Sequence, residues 1–541
     1  MKNQISKNIV SSTIIMLVVS LTISGCKKDF FDKQPLDRVS DATFWKTEGD
    51  AKLALTGVYR AQSGWGGQDW WHPLSMMWLD LMAGNGSEKE MSPDRVTDGS
   101  LNSAYWVTSG YWDNSYQRIT TCNNFLAHIG TVTMDENAKK VMIAEVRALR
   151  AYEYFNLTVY FGDVPLVTNV LTINEANSVS RTSKSEIWSF LETELKESAA
   201  LLPVTRPNAE SGRFTAGSAL AVLGRLQMFE KKWSDAAVTY KKIIDSKAYV
   251  VQDDFSQLFY ISNEFSKEII LSTQYIPDTY SHPVPQYLYP EAFGGWHQFS
   301  PYNELVKEFE CIDGKPITES PLYNINTPYA NRDPRLDFTI MISDRSTFRG
   351  QTYVSRPGTS SPDRFNRYGW SGYCIMKTMD PSYTGNLQNS GQNAILIRYP
   401  EVLLGYLESM IESGGGLTQS LLDQTINVVR KRASVNMPAV TQLDPAALRT
   451  IVRRERRVEL AFEGIRYYDI LRWGIAAEEL NKQFTGMKLT NTPATYRDFP
   501  VDDQGYFIYQ KRAFKKGINE LWPIPQKEIQ INKNLKQNAG Y

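Results

Sequence analysis

Apolar residues recur at helical spacing in several separate stretches of this chain, and polar, glycine-rich stretches divide them. Ala51, Ala54, Leu55 and Val58 fall at i, i+3, i+4 and i+7, and Ser40 or Asp41 can cap the helix they predict. A second helix is predicted from Val141 through Ala144, Ala148, Ala151 and Phe155 to the turn Gly162-Asp163-Val164-Pro165. A third covers about Ser185 to Leu202 and stops before Pro203. Towards the other end, Leu448, Ile451, Val452, Val458, Phe462, Ile465, Leu471 and Trp473 mark a helical stretch with one buried side from Leu448 to Gly474, interrupted at Gly464 before Tyr467 and Tyr468. Two regions break the pattern. Residues 62–112 are rich in Gly, Asn, Ser and Trp, and 250–391 hold many prolines and aromatics with no sustained helical period. The expected architecture is mainly α: a helical frame carrying long irregular loops and a few short strands.

Ala216 to Lys247 carries the spacing of a tetratricopeptide unit, with Leu223-Gly224 in its first helix and Ala236 and Tyr240 in its second; Gln227 stands where an aromatic is usual. One such unit cannot bury its own face, so helix pairs from Leu396 to Arg432 and from Pro445 to Gly474 are expected to stack on it. In the last of these, Arg453, Arg454, Arg456 and Arg457 alternate with Glu455, Glu459 and Glu463. The chain has 59 Lys and Arg against 59 Asp and Glu, so the basic run has no net positive field for phosphate, and a charge-paired helix face is expected instead of a nucleic-acid surface.

Lys2 and Lys7 precede the apolar run Ile14 to Leu21, followed by Ile23-Ser24-Gly25-Cys26, the layout of a secretory signal peptide ending at a cysteine. The run is too short to span a bilayer well. Cys122, Cys311 and Cys374 remain, an odd number without CxxC spacing; a Cys311–Cys374 disulfide lacks support, and no zinc site is expected. With 42% hydrophobic residues, the chain can bury a large core.

The stretches RRERRVELAFEGIRYYDILRWG, EVRALRAYEYFNLTVYFGDVPL and Arg332-Asp333-Pro334-Arg335-Leu336, with the chain end LWPIPQKEIQINKNLKQNAGY, resemble the SusD/RagB family, glycan-binding lipoproteins of the Gram-negative outer membrane. Ala539 stands where that family usually has proline, and Pro400, Gly405, Leu407 and Ser409 depart from its usual alanines. The resemblance implies a SusD-like fold, with residues 1–25 a lipoprotein signal peptide removed before Cys26, 26–40 a lipidated tether, 41–250 an N-terminal helical region carrying the ligand loop 62–112, 251–395 an aromatic-rich ligand region, and 396–541 a C-terminal helical region. It also implies acylation of Cys26, an outward-facing position on the outer membrane, and delivery of oligosaccharide or polysaccharide to a SusC-like TonB-dependent transporter. Asp333 before Pro334 is read as a turn, with Arg335 pairing nearby carboxylates.

Tryptophans flanked by glycine in a polar loop can offer flat faces to sugar rings while Asp, Asn and Gln take the hydroxyls. Trp65, Trp70, Trp71, Trp78, Asp69, Asp80 and Asn85 are the candidates in the first loop, weighed against the reading that tryptophan packs in the core. Relatives build the site from this loop and one after the repeats, which implies Tyr287, Tyr289 and Trp296 as the second half. No G-x-S-x-G, HExxH, P-loop or post-strand G-x-G-x-x-G is present, and His72, His128, His282 and His297 lack metal spacing. The chain is therefore read as a binder without catalytic residues or cofactor beyond the lipid; a structural calcium is left open. The alternative is a tetratricopeptide scaffold that binds a protein or peptide at the outer membrane.

Overall fold

The computed structural model describes residues 44–541 except 61, 63, 65, 91, 366–369 and 490–498. The signal peptide, Cys26, the tether and Trp65 lie outside the described residues.

Helix α1 (Glu48–Tyr59) opens on a capping box in which Thr47 and Asp50 satisfy each other's backbone N–H groups. The stretch expected to be an irregular loop contains two further helices, α2 (Pro73–Met82) and the start of α3 (Trp106–His128). Every residue of α2 is buried, so its apolar content shows no one-sided period. There follow α4 (Glu136–Phe161), α5 (Lys184–Leu201), α6 (Ala216–Phe229) and α7 (Trp233–Asp245). Near the C-terminus lie α8 (Tyr399–Glu412), α9 (Pro445–Glu459) and α10 (Arg466–Arg472). Helix α4 packs on α5, α5 on α6, α6 on α7, α7 on α8 and α8 on α9, which is the expected frame of stacked helix pairs.

Tyr240 explains two glycines in that stack. A Cβ on Gly224 would lie 2.5 Å from the Tyr240 ring, and one on Gly405 would lie 2.9 Å from it. The ring is thus wedged between α6 and α8, and Gly405, outside the usual family pattern, makes the space. Pro400 sits in the first turn of α8, where its missing N–H costs no helical bond.

Short antiparallel strands tie the irregular regions to the frame. Strand β1 (Gly86–Glu88) pairs with β3 (Phe299–Pro301), and β2 (Ile269–Thr273) with β4 (Ala394–Arg398). The pair expected from Leu396 therefore begins as a strand, and its second helix is broken into Gln419–Gln424 and Ile426–Arg430.

The Leu448–Gly474 stretch is broken before Tyr467 and Tyr468, as expected at Gly464. Helix α9 ends at Glu459, and a turn with positive φ at Phe462 (62°) and Gly464 (76°) reverses the chain into α10. A Cβ on Gly464 would also lie 3.0 Å from the Met76 backbone, so this turn sits directly on α2. The charged face is not self-paired at the surface. Its acidic stripe is buried and takes cations from other segments: Arg335 reaches Glu455 (2.5 Å) and Glu459 (2.9 Å), Arg398 reaches Glu459 (2.5 Å) and Glu463 (2.6 Å), and Arg432 reaches Glu459 (2.7 Å). Lys377 closes the row on Glu463 at 2.5 Å. Arg335 pairs carboxylates as expected, and Leu336 N–H donates to Asp333 O in the expected turn.

Cys122, Cys311 and Cys374 are buried free thiols. No helix among the described residues is long and apolar enough to cross a membrane.

Candidate functional site

The pairing of β1 with β3 brings the two irregular regions together, with Glu88 opposite Phe299. This is the regional juxtaposition implied for a ligand site. From the second region, residues 286–298 fold back on themselves: Trp296 N–H donates to Gln286 O (2.7 Å), and Gln298 N–H to Tyr287 O (2.8 Å). Tyr287 stacks on Phe299 at 5.6 Å and meets the edge of Trp296 at 5.5 Å. Both Tyr287 and Trp296 are half-buried, so each keeps part of its ring accessible.

Among the described residues, Trp106 is the aromatic from the first region that faces solvent, with 52% of its surface exposed. It stands at the first turn of α3 against the edge of Trp78, ring centroids 5.7 Å apart, so the buried Trp78 braces it from below. Burial raises the phenols of its neighbour Tyr105 and of Tyr287, and Glu88 adds to both shifts. Sequence reading passed over Trp106, yet the signal was available. On α3 the buried positions Val107, Thr108, Tyr111, Trp112 and Ser115 keep helical period, and Trp106 falls off that face with Ser109, Gly110 and Asp113.

Most of the other expected contacts are interior. Trp70 stacks on Tyr111 (4.1 Å) and Tyr160 (5.2 Å), and its indole N–H donates to Ser115 Oγ at 2.7 Å. Trp71, 1% exposed, donates to Glu153 Oε1 at 2.7 Å. Trp78 is buried beneath Trp106, and Tyr289 is buried with its hydroxyl donating to Asp380 O at 3.0 Å. Asp69 holds Arg118 through both carboxylate oxygens at 2.9 Å. Faces so enclosed offer nothing to a sugar ring, and their role is packing.

Asp80 and Asn85 are likewise corrected to a structural role. Asp80 Oδ2 accepts from Gly464 N–H at 2.5 Å, its Oδ1 accepts from Asn85 Nδ2 at 2.6 Å, and Asn85 Oδ1 accepts from Arg457 Nε at 3.0 Å. The two residues lock the α9–α10 turn onto α2. Burial raises the Asp80 carboxyl to about 6, against the opposing pull of Asn85 and the Phe462 and Gly464 N–H groups.

Beneath the 286–298 segment, Asp363 accepts from Glu291 and Ala292 N–H (2.8 and 3.0 Å), and His297 Nδ1 lies 3.0 Å from it. His72 and His282 are buried and pushed by burial to about 3 and about 4, so both are neutral imidazoles. Among the described residues no three His, Cys, Asp or Glu side chains gather as a metal site.

Comparison with known proteins gives consistent matches. Residues 265–541 match a family model described as the SusD family, and residues 80–228 match one described as starch-binding associating with outer membrane. A SusD-like carbohydrate-binding protein from Bacteroides fragilis is 37% identical and superposes with a TM-score of 0.87, over 91% of this chain and 100% of that one. A laminarin-binding SusD-like protein is 25% identical with a TM-score of 0.65, over 92% and 100% of the two chains. A SusD-like protein of Formosa agariphila is 23% identical over 98% of this chain and 99% of its own.

Proposed function

Because this chain belongs to the SusD family, we propose that it binds an oligosaccharide or polysaccharide on the rim formed by Trp106, Tyr287 and Trp296, and delivers it to a SusC-like TonB-dependent outer-membrane transporter. The observation that carries this reading is Trp106. A large aromatic that is 52% exposed and braced edge-on by a buried tryptophan is a rigid apolar platform in water. Sugar C–H faces stack on such platforms, while the exposed Glu90 and nearby backbone groups supply hydrogen bonds to hydroxyls.

The relatives support the ligand class: one is named as carbohydrate-binding and another as laminarin-binding. Shallow stacking leaves each sugar weakly held, so affinity depends on several rings engaging together. Acylation of Cys26 would tether the protein, each buried CH₂ contributing about 0.8 kcal/mol. Binding without catalysis is part of the proposal; release of reducing sugar by the purified protein would overturn that part.

A glycan array probed with the parent and with a folded Trp106→Ala/Trp296→Ala variant tests the site. Binding lost only in the variant supports it, and binding retained moves the site elsewhere. Delivery is tested by affinity purification from detergent-extracted outer membranes, where repeated absence of a large β-barrel partner counts against it.

A further inference from the structure

The β1–β3 pair is the joint between the two halves of the rim. Beyond the strands it is continued by Tyr302 N–H donating to Asn85 O (3.0 Å) and Lys89 N–H donating to Gln298 O (2.8 Å). Gln298 N–H in turn donates to Tyr287 O at 2.8 Å, so hydrogen bonds run from β1 into the segment that carries Tyr287 and Trp296. On the other side, β1 packs on α2, which holds Trp78 beneath Trp106, and the Tyr105 hydroxyl donates to Ser92 O.

Glu88 sits at the end of β1 in this joint. Its backbone pairs with Phe299, the residue on which Tyr287 stacks, and it is 5% exposed. Its Oε2 is buried and accepts no hydrogen bond. No ammonium or guanidinium pairs with the carboxyl among the described residues. Arg512 lies 3.0 Å from Asp94, the Lys89 ammonium lies 5.0 Å from the Trp370 ring centroid, and Arg95 is exposed. The groups that act on Glu88 or feel its charge are acidic or phenolic: Glu90 two residues on, Asp94 in the turn Pro93–Val96, Tyr105 before α3, Tyr287 beside β3, and Tyr509. Strand β3 contributes no charge, and Asp80 of α2 is taken up by Gly464 and Asn85. Burial, then Asp94 and Glu90, push the Glu88 carboxyl up to about 8 against the Ser92 N–H. A carboxylate so placed lacks both a counter-charge and a full set of donors, a costly state in a buried site. Because β1 is buried at every position, water reaches the charge only if the strands separate.

We propose that Glu88 is a positioning residue for the rim: protonated, it keeps β1 against β3, and as a carboxylate it parts them, so that Trp106 separates from Tyr287 and Trp296 and glycan is released. The effect on glycan rests on the rim reading, whereas the parting of the strands rests on the joint alone.

Two measurements on the full-length protein in detergent micelles, each on the parent and on Glu88→Gln at pH 5 and pH 9, test it. Hydrogen exchange, corrected for the intrinsic pH dependence of amide exchange, reads the joint. Protection of the Lys89, Gln298 and Tyr302 N–H groups should fall about tenfold or more between the two pH values in the parent, with α4 still protected, and stay level in Glu88→Gln. Calorimetric titration with laminarin and soluble starch, the polymers named for relatives, reads the rim. The parent's affinity should fall about tenfold or more over the same range, and that of Glu88→Gln should stay level. Protection that is level in the parent, falls equally in the variant, or is lost from α4 as well would overturn the proposal and leave the rim standing. Opening of the joint with level affinity would overturn the positioning role. Opening in the parent alone, with neither polymer bound at pH 5, would uphold the proton-dependent joint and overturn the rim reading.

Discussion

His297 Nδ1 lies 3.0 Å from Asp363 Oδ1, and His297 Nε2 lies 3.1 Å from Tyr373 O, with both side chains wholly buried. Each ring nitrogen faces an acceptor, so the doubly protonated ring is the one that satisfies both. Burial pushes the imidazole down, but the Cys374 sulfur and the Asp363 carboxylate outweigh it and raise it to about 10. A folded-state value above the ordinary one stabilises fully below pH 6.5, and that contribution is lost as pH rises through about 10. Asp363→Asn removes the partner charge and should destabilise by roughly 3–5 kcal/mol at pH 6. Urea unfolding at pH 6 and pH 10 checks this: the gap between parent and variant should narrow at the higher pH. A gap independent of pH would show that His297 is neutral in the fold.

Glu459 gives the opposite sign. Its burial raises the carboxyl, but Arg432, Arg398 and Arg335 outweigh that and lower it from 4.5 to about 2. The stabilisation is present above pH 4.5 and is lost as pH falls towards about 2. Glu459→Gln leaves three buried guanidiniums short of a counter-charge and should cost about 3–5 kcal/mol at pH 7. Acid titration followed by circular dichroism should show the variant unfolding at a higher pH than the parent. Coincident acid midpoints would reject the electrostatic role of this carboxylate.

The frame was legible because stacked helices bury one face and keep a 3.6-residue period, as at Ala51, Leu55 and Val58. The buried charge network was not. Glu455, Glu459 and Glu463 read locally as partners of the arginines beside them, whereas Arg335, Arg398 and Arg432 are more than 25 residues away from Glu459 and reach it only through the tertiary fold. Helix α2 was hidden for a related reason: with all its residues buried, PLSMMWLDLM has no polar face to reveal a period. The glycines before it made the tryptophans that precede it look exposed, although Trp70 and Trp71 face inward against α3 and α4. Composition identifies aromatics well but cannot say which way they point.

Glu88 should make stability fall with alkalinity. Burial first, then the charges of Asp94 and Glu90, raise its carboxyl to about 8, so the folded protein holds this proton more tightly than the unfolded chain does. Its contribution is complete below pH 4.5 and is lost as pH rises to about 8. Glu88→Gln keeps the shape and removes the titration. The variant should match the parent near pH 4.5 and exceed it by up to about 5 kcal/mol at pH 9. Thermal unfolding across that range measures the difference; equal stability at pH 9 would show that Glu88 is ionised at no cost.

Truncating the tryptophans should divide them into two kinds. Trp70 lies in a stack with Tyr111, Tyr160 and Trp522 and donates to Ser115, so Trp70→Ala leaves a cavity and an orphaned hydroxyl. A loss of about 3–5 kcal/mol is expected. Trp106 keeps half its surface in water and touches the edges of Trp78 and Tyr105, so Trp106→Ala should cost less than about 1 kcal/mol. Glycan affinity should follow the reverse order, falling about tenfold or more for Trp106→Ala. For any Trp70→Ala protein that remains folded, it should be little changed. Denaturant melts paired with affinity electrophoresis on the same preparations separate the two effects. If Trp106→Ala loses stability as Trp70→Ala does while keeping its glycan affinity, the exposed ring is a structural element and the rim is not the binding surface.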